Sequence, residues 1–233
     1  MGKVSEVRSQ NMRYRNVVPA AFVDRPNRFV AHVDLGGQRE TVHVKNTGRC
    51  RELLLPGAEV WLSGSDHPSR KTAYDLIAVR KSNGLLVNTD SQAPNAVARE
   101  WLETQSFDLI RPEYRYGLSR LDFMMERGGE RFLMEVKGCT LERNGIGYFP
   151  DAPTERGVKH LRELTNAVGY KSLLLFVIQM DGIAVVHGNQ ETDPCFCNAL
   201  EDAEKNGVKV ICLPCHVEPD SLSFVSNRKE PLF

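Results

Sequence analysis

The sequence predicts a two-domain α/β (α+β) protein in which an all-strand barrel precedes a mixed domain. The chain has 233 residues, which is enough for two small domains with real cores. From Val17 to about Asp90, apolar and polar residues alternate between turn signals, as in successive strands. From Phe107 onward, strands alternate with helix-length segments, which is typical of an α/β arrangement. We therefore assign 1–90 to a β-barrel domain and 91–233 to an α/β domain.

Composition excludes several functional classes. Hydrophobic residues make up 41% of the chain and charged residues 26%, which is ordinary for a globular protein and excludes a disordered one. No apolar run is long enough to span a bilayer, and Met1–Arg15 lacks the apolar core of an export signal. We expect a cytoplasmic protein with no membrane partner. The 30 basic and 30 acidic residues cancel, so any site for a polyanion must be local.

The first domain is predicted from hairpin signals. Gly36-Gly37 and Asn83-Gly84 are turn pairs between alternating segments. The predicted strands are Arg28–Asp34, Glu40–Lys45, Glu59–Leu62, Tyr74–Arg80 and Leu85–Asn88. About five strands in some 70 residues suit a small closed barrel such as an OB-fold. A generic β-sandwich is the alternative.

The second domain is predicted to begin with a helix over Gln92–Trp101, with Pro94 allowed in its first turn. The elements expected after it are a strand at Glu113–Tyr116, hairpin arms at Arg120–Glu126 and Arg131–Lys137, a helix from Thr154, a strand at Leu173–Ile178, a helix near Asn198–Asn206 and a strand at Val208–Leu213.

The hairpin carries the main candidate site, and its register can be counted. Its arms flank Gly128-Gly129, a preferred pair for a two-residue primed turn. If Arg127 faces Glu130, counting along both arms places Asp122 directly opposite Glu135. Directly opposed residues share a face, with Cβ atoms about 5 Å apart.

This register predicts a divalent-metal site. Glu135 and Lys137 are two residues apart on one strand and point the same way, and Arg120 should lie opposite Lys137. Opposed carboxylates repel unless a cation lies between them. Mg²⁺ favours one or two carboxylates plus waters and phosphate oxygens. We predict that Asp122 and Glu135 hold Mg²⁺ or Mn²⁺ and that Lys137 orients or deprotonates a water.

A solvated outer face with ordinary ion pairs is the alternative for this hairpin. Leu121, Phe123 and Met125 argue against it, because they supply an apolar face and imply a buried ladder. Glu113, on the strand just upstream, is a candidate third carboxylate.

The helix from Thr154, a plausible N-cap, offers basic groups close to the hairpin. Its predicted buried stripe is Val158, Leu161, Leu164, Thr165 and Val168, which leaves Arg156, Lys159, His160 and Arg162 on the surface. Cations near a helix N-terminus suit phosphate, so we take Arg156, Lys159 and His160, together with Arg120, as nucleic-acid-binding candidates. An ordinary solvated helix face is the alternative.

Six cysteines in a chain expected in the cytoplasm are most simply free thiols. Cys195, Cys197, Cys212 and Cys215 could offer four thiolates to zinc. Against zinc, the first pair falls at a predicted helix start and the second in a predicted strand.

Several segments carry a resemblance to a known family. They are Val44–Gly48, Leu85–Thr89, Ser119–Phe123, Glu135–Lys137 and Gly147–Leu164. Together they resemble the sugar fermentation stimulation protein A family, in the family's order and over roughly Val17 to Leu213. The strand acid followed by Glu-x-Lys and a helix also resembles the core of the PD-(D/E)XK nuclease superfamily.

The resemblance implies an N-terminal OB-like β-barrel joined to a PD-(D/E)XK nuclease-like α/β domain. It also implies DNA binding without strong sequence preference and a regulatory role in sugar, especially maltose, metabolism. The superfamily's metal acids match Asp122 and Glu135, its lysine matches Lys137, and its upstream glutamate matches Glu113.

An OB-like barrel binds single strands through a basic groove and stacking aromatics. The groove candidates are Lys45, Asn46, Thr47, Arg49 and Arg51, with Arg70 and Lys71 nearby in sequence. Aromatic residues make up only 8% of the chain, and Trp61, between Val60 and Leu62, is expected in the core rather than in a stacking platform.

Three functions follow. The first is a DNA-binding protein, with single-stranded DNA or RNA also possible, that carries a nuclease-like metal site. The second is an active Mg²⁺-dependent nuclease that hydrolyses phosphodiester bonds. The third is a protein-interaction module, for which no residue pattern gives a positive sign.

Overall fold

The computed structural model describes residues 12–46, 48–65 and 70–225. The first domain is a closed five-stranded barrel, as predicted. Its strands are β2 (Val17–Asn27), β3 (Val30–Leu35), β4 (Gln38–Val44), β5 (Glu59–Gly64) and β6 (Tyr74–Arg80), followed by β7 (Leu86–Asn88). They are ordered β4-β3-β2-β5-β6-β7, and the pairing of β4 with β6 closes the barrel. Gly36 and Gly37 have positive φ of 63° and 88°, which makes the tight β3–β4 turn.

The second domain is built on a seven-stranded mixed sheet. Its strands are β1 (Met12–Arg13), β8 (Leu109–Tyr116), β9 (Ser119–Arg127), β10 (Glu130–Cys139), β13 (Lys171–Ile178), β15 (Lys209–Glu218) and β16 (Ser221–Phe224). They are ordered β1-β16-β15-β13-β10-β9-β8, and β10, β13 and β15 run parallel. A small second sheet contains β11 (Leu141–Arg143), β12 (Ile146–Phe149) and β14 (Val186–Gly188).

Three helices cover the large sheet. They are α1 (Ala93–Glu103), α2 (Glu155–Thr165) and α3 (Pro194–Lys205). Helix α1 packs in one core with β10 and β13, to which it contributes Val97, Trp101 and Leu102. Helices α2 and α3 share a separate core, in which Leu161 and Phe196 contact the opposite face of the sheet. No helix within the described ranges is long and apolar enough to cross a membrane.

The barrel and the sheet are joined by a partly buried polar cluster, which we call the junction network: Tyr14, His43, Lys45, Arg70, Asp75 and Asp90. Asp75 accepts from Lys45, Arg70 and His43, at 3.1 Å for Lys45 and 3.0 Å for His43. Asp90 accepts from Lys45 at 3.3 Å and from Tyr14 at 3.2 Å.

Three sequence predictions about elements need correction. The prediction gives 1–90 to the barrel, but Met12 and Arg13 pair with β16 in the second sheet. The predicted stripe of α2 includes Val168, which lies beyond the helix end at Thr165 and is 84% exposed. His160, predicted on the surface, is only 3% exposed. Trp61 lies in the core, as predicted.

Candidate metal centre and nucleic-acid interface

Glu135 lies on the inner strand β10 and is only 3% exposed. Its Oε1 accepts a hydrogen bond from Lys137 Nζ at 2.6 Å and another from His160 Nδ1. Its Oε2 is also buried and has no hydrogen-bond partner in the described part of the chain. Leaving a buried carboxylate oxygen unpaired costs free energy, so this atom marks an open position for a cation or a donor.

Asp122 reaches Glu135 from β9, although not through a complete ladder. The β9–β10 pairing follows the predicted count for five residue pairs and stops one pair before Asp122 and Glu135. Asp122 turns its carboxylate to other groups: Oδ2 accepts from the backbone N–H of Val136 at 2.8 Å, and Oδ1 accepts from Asn95 Nδ2 at 2.9 Å. The two acids therefore influence each other electrostatically at the point where the β9–β10 pairing ends.

At Asp122, the alternation of strand β9 is interrupted, so its side chains before and after this residue face different sides of the sheet. Leu121 joins the core beneath α2 and α3, whereas Phe123 and Met125 pack with α1. The prediction that these three residues share one face is therefore wrong. The β8–β9 pairing also skips Asp122, and Glu113 opposite it has a positive φ of 56°. Such ladder irregularities re-aim single side chains and are frequent next to active sites.

The pKa values of the two carboxyl groups are shifted in opposite directions. Burial raises the pKa of Asp122 above its ordinary value, and the charge of Glu135 raises it further. Burial alone would also raise the pKa of Glu135, but the hydrogen bond from His160 and the charge of Lys137 outweigh it and lower that pKa. Glu135 is therefore held as a carboxylate, and a second negative charge on Asp122 is disfavoured unless a cation joins the pair.

His160 is part of this site rather than a surface cation. Its Nδ1 must carry the hydrogen, because the Glu135 carboxylate can only accept. Its Nε2 lies 3.5 Å from Arg156 Nε. His160 fixes the rotamer of Glu135 and leaves Oε2 as the free oxygen.

Glu113 and Arg120 do not join the acids. The Glu113 carboxylate accepts from Arg120 Nε at 2.8 Å, and both side chains are more than half exposed. Arg120 faces Arg115 across β8 instead of lying opposite Lys137, because the β9–β10 ladder has already ended. The structure thus corrects the predicted third carboxylate and the predicted Arg120–Lys137 pair.

The two remaining acids fit a hard divalent cation that takes few ligands from the protein. No three His, Cys, Asp or Glu side chains among the described residues are grouped as metal ligands. The site offers two carboxylates, one with an unpaired buried oxygen, and Mg²⁺ commonly binds through one or two carboxylates with waters completing its shell. Asp122 and Glu135 are the residues that would hold it.

Two openings are lined by neighbours of the site: Gly138, which follows Lys137, lines one, and His160 lines the other. The first is a cleft of about 760 Å³ between the barrel and the second domain, and its lining includes Arg49 and Gly138. The second lies beside α2 and is lined by Ser119, Arg120, Glu155, Arg156, Lys159 and His160. Arg156 and Lys159 are exposed there, as predicted.

The barrel residues predicted to bind nucleic acid differ in their surroundings. Lys45 is committed to Asp75 and Asp90 in the junction network, so its charge is neutralised. Asn46 Oδ1 accepts from the backbone N–H of Gly48 at 2.7 Å and shapes the loop. Thr47 lies outside the described residues. Arg49 is exposed and lines the interdomain cleft.

The structure adds arginines at positions 25 and 28 to the cleft, and it also includes Arg51. Their sequence signal was weak, because Arg25 and Arg28 lie in a strand and turn far from the barrel segment that resembles the family. The cysteines considered for zinc lie on separate elements, with Cys195 and Cys197 on α3 and Cys212 and Cys215 on β15.

Comparison with known proteins assigns the family. One family model, described as the sugar fermentation stimulation protein RE domain, matches residues 92–221. A second, the SfsA N-terminal OB domain, matches 23–89. The chain belongs to the SfsA family. The SfsA relatives include a sugar fermentation stimulation protein homolog of Desulfitobacterium hafniense, 51% identical over 216 residues, which cover 91% of this chain and 94% of that protein.

A homolog from Ruminiclostridium cellulolyticum is 46% identical over 213 residues, which cover 89% of this chain and 94% of that protein. The solved structure of Pyrococcus furiosus SfsA in complex with Ca²⁺ matches with a TM-score of 0.82 and 26% identity, over 91% of this chain and 95% of that one. The OB-type barrel followed by an α/β domain is thus the architecture of SfsA.

Proposed function

We propose that this SfsA protein binds DNA without strong sequence preference, holds a divalent cation between Asp122 and Glu135, and hydrolyses phosphodiester bonds at that site. The observation that supports it is the buried, unpaired Oε2 of Glu135 beside an aspartate whose pKa is raised. The Ca²⁺ complex of the Pyrococcus furiosus relative supports a divalent cation. Mg²⁺ or Mn²⁺ suits the two-carboxylate donor set.

The chain's own residues have distinct roles in this proposal. A bound divalent ion supplies positive charge to a phosphodiester and lowers the pKa of a coordinated water. Asn95 and the backbone N–H of Val136 orient Asp122, and His160 orients Glu135. Lys137 keeps its ammonium at the site through Glu135 Oε1, and its other two hydrogens can orient a water or stabilise charge developing on phosphate.

A second candidate is nucleic-acid binding without turnover. It is favoured by the 2.6 Å ion pair between Lys137 and Glu135, which partly neutralises both groups in the absence of a metal ion. The regulatory role in sugar metabolism that the family resemblance implies stays a prediction.

The test is cleavage of end-labelled single- and double-stranded DNA and RNA with Mg²⁺ or Mn²⁺. We compare the wild type with Asp122→Asn, Glu135→Gln and a matched control, Glu201→Gln, on the exposed face of α3. Both site variants should lose cleavage by about 10²-fold or more, and the control should not. Cleavage that survives both site variants overturns the assignment. Wild-type binding without cleavage favours the second candidate.

A further inference from the structure

The β8–β9 turn carries an apolar side chain into solvent. The two strands end at the pair Tyr116 and Ser119, which leaves a two-residue turn. Its first residue, Gly117, has a positive φ of 56°, and its second, Leu118, is 92% exposed. Val168, 84% exposed, donates its backbone N–H to the Tyr116 hydroxyl at 3.1 Å. The two most exposed large apolar side chains of the described chain therefore lie near one another around Tyr116, and such grouping marks an interaction surface.

A groove opens beside this turn. Its volume is about 470 Å³, and Tyr116, two residues before Leu118, belongs to its lining. Residues 155, 158, 159, 162, 163 and 166 also line it, and their helical spacing makes them one face of α2. The stripe of α2 that includes Leu161 and Leu164 packs on the sheet instead. Helix α2 therefore presents an open face next to an exposed leucine.

The charges of this face complement one another across a two-fold axis. Glu155 in the first turn of α2 and Arg162 in the last are exposed, and neither forms an ion pair within the described ranges. They lie two helical turns apart on the groove side. If a second copy lies with its α2 antiparallel to this one, Glu155 comes opposite the partner's Arg162, and Arg162 opposite the partner's Glu155. A formal net charge of zero means that the two copies do not repel each other overall.

One atom of the groove also lacks a partner. Glu163 Oε2 is buried and accepts no hydrogen bond from the described part of the chain. The Oε1 of the same carboxylate lies 3.9 Å from Lys159 Nζ, which is too long for a hydrogen bond. A buried carboxylate oxygen without a donor costs free energy, and a donor from outside the chain would recover it. The groove is thus completed by an occupant.

A projecting side chain and a groove on one surface are what an isologous interface needs, because each copy then supplies both halves of the contact. We propose that this protein forms a two-fold symmetric dimer in which Leu118 of each copy packs into the α2 groove of the other, and Glu155 pairs with the partner's Arg162. The occupant of the groove is a second copy of this chain. Neither Asp122 nor Glu135 lines the groove, so this inference does not depend on the proposed function.

The first test is the concentration dependence of the molar mass, measured by sedimentation equilibrium from about 1 to 300 µM, since an interface of this size should have micromolar strength. We expect the wild type to pass from monomer to dimer. Leu118→Glu puts a charge into the apolar contact and should raise the dissociation constant by at least about tenfold. Leu55→Glu, the same change at an exposed leucine outside the groove, should leave it unchanged. Thermal unfolding verifies the fold of both variants.

Charge reversal tests the pairing and its antiparallel direction. Arg162→Glu places two acids opposite each other at both ends of the interface. It should weaken the dimer by about threefold or more, a modest effect because each exposed ion pair contributes little. Adding Glu155→Arg to that variant exchanges the two charges and should restore the wild-type dissociation constant. A double variant as weak as Arg162→Glu alone would overturn the proposed arrangement.

Cross-linking tests where the leucine lies. Cys195 lines the groove and is exposed, whereas the other five cysteines are buried or partly buried. After oxidation with copper phenanthroline, Leu118→Cys should give a covalent dimer in which position 118 is joined to position 195, and Cys195→Ser in the same chain should remove that link. A wild type that stays monomeric at the highest concentration overturns the proposal. A dimer that Leu118→Glu leaves intact, or that is linked only from position 118 to position 118, does so as well.

Discussion

Two pairs of acids in the described part of the chain differ in their surroundings: Asp75 with Asp90, and Asp122 with Glu135. In the junction network, both oxygens of Asp75 accept from cationic or imidazole groups, and Asp90 accepts from Lys45 and Tyr14. In the candidate metal centre, a lysine also contacts one acid, yet Glu135 Oε2 is unpaired. A lysine next to buried acids therefore does not by itself distinguish a candidate metal site from a structural ion pair.

The difference shows what distinguishes a structural ion pair from a candidate metal site: whether the carboxylate oxygens all have hydrogen-bond partners. The pKa of Asp75 is lowered to about 2, because hydrogen bonds from Arg70, His43 and Lys45 outweigh the effect of burial. The pKa of Asp122 is raised, because burial and Glu135 dominate. In the first pair the acids have cationic partners within the chain, whereas the second pair keeps an unpaired oxygen on Glu135, on which the proposed cation site rests. The following predictions test that comparison.

The largest effect is expected for Asp75→Ala. The change removes the acid that Lys45 and Arg70 share, although Lys45 keeps Asp90, and removing one partner of a buried pair costs about 3–5 kcal/mol. Because these cations are 22% and 30% exposed, we expect the lower end, about 3 kcal/mol, in the free energy of urea unfolding. Asp220→Ala, which breaks an exposed pair with Arg13, should cost about 0.5 kcal/mol or less. A loss below about 1 kcal/mol for Asp75→Ala would contradict a structural role.

The next effect concerns His160, which positions Glu135. His160→Leu removes the donor to Oε1, and loss of such a supporting hydrogen bond typically lowers metal affinity by about 10–100-fold, or about 1.4–2.7 kcal/mol. His160→Asn keeps an N–H donor near the Nδ1 position and should recover most of that affinity. Titration calorimetry with Mn²⁺ measures both. Unchanged Mn²⁺ affinity in a folded Leu variant would show that His160 does not position the ligand.

Acid should weaken the junction network. The folded pKa of Asp75, about 2, lies below its ordinary value of 3.8, so its contribution is present above about pH 4 and is lost as the pH falls toward 2. The difference amounts to about 2 kcal/mol. Denaturant unfolding between pH 5 and 2.5 should show a smaller loss of stability in Asp75→Asn than in the wild type. Parallel curves for the two proteins would refute this.

The smallest effect is expected for Asp122→Asn in the absence of metal. Because the pKa of Asp122 is raised in the folded protein, its charged form costs stability at neutral pH. The amide removes this charge but has one acceptor oxygen for the two donors Val136 N–H and Asn95 Nδ2, so the two effects oppose each other and the unfolding free energy at pH 7 should change little. The substitution should also abolish the rise in melting temperature that Mg²⁺ causes in the wild type and in Glu201→Gln. A destabilised Asn variant that retains the Mg²⁺ shift would reverse the comparison.

Local patterns predicted much of this fold and part of the site. Alternation and the Gly36-Gly37 turn predicted the barrel strands, and the Gly128-Gly129 turn predicted five observed β9–β10 pairs. The contact between Glu135 and Lys137 follows from their spacing on one strand. These features depend on residues close in sequence, where periodicity is informative.

The features that sequence did not reveal depend on distant partners. Lys45 looked available for phosphate, but its partners Asp75 and Asp90 lie 30 and 45 residues away. His160 has a missed local signal, because it falls at helical spacing between the buried Gly157 and Leu164. Its polar character led to a surface assignment, although Glu135 gives it a buried partner.

The short pairing of β1 with β16 has a consequence for the order in which the protein is made. Met12 pairs with Leu222, so the first described strand can complete its sheet only after almost the whole chain has left the ribosome. The barrel lies between them in sequence and can close earlier, since domains generally fold as units during synthesis. Strand β16 can thus pair with β1 only after the barrel has folded. Because β1 precedes the barrel in sequence and β16 belongs to the second domain, their pairing links the two ends of the chain across both domains.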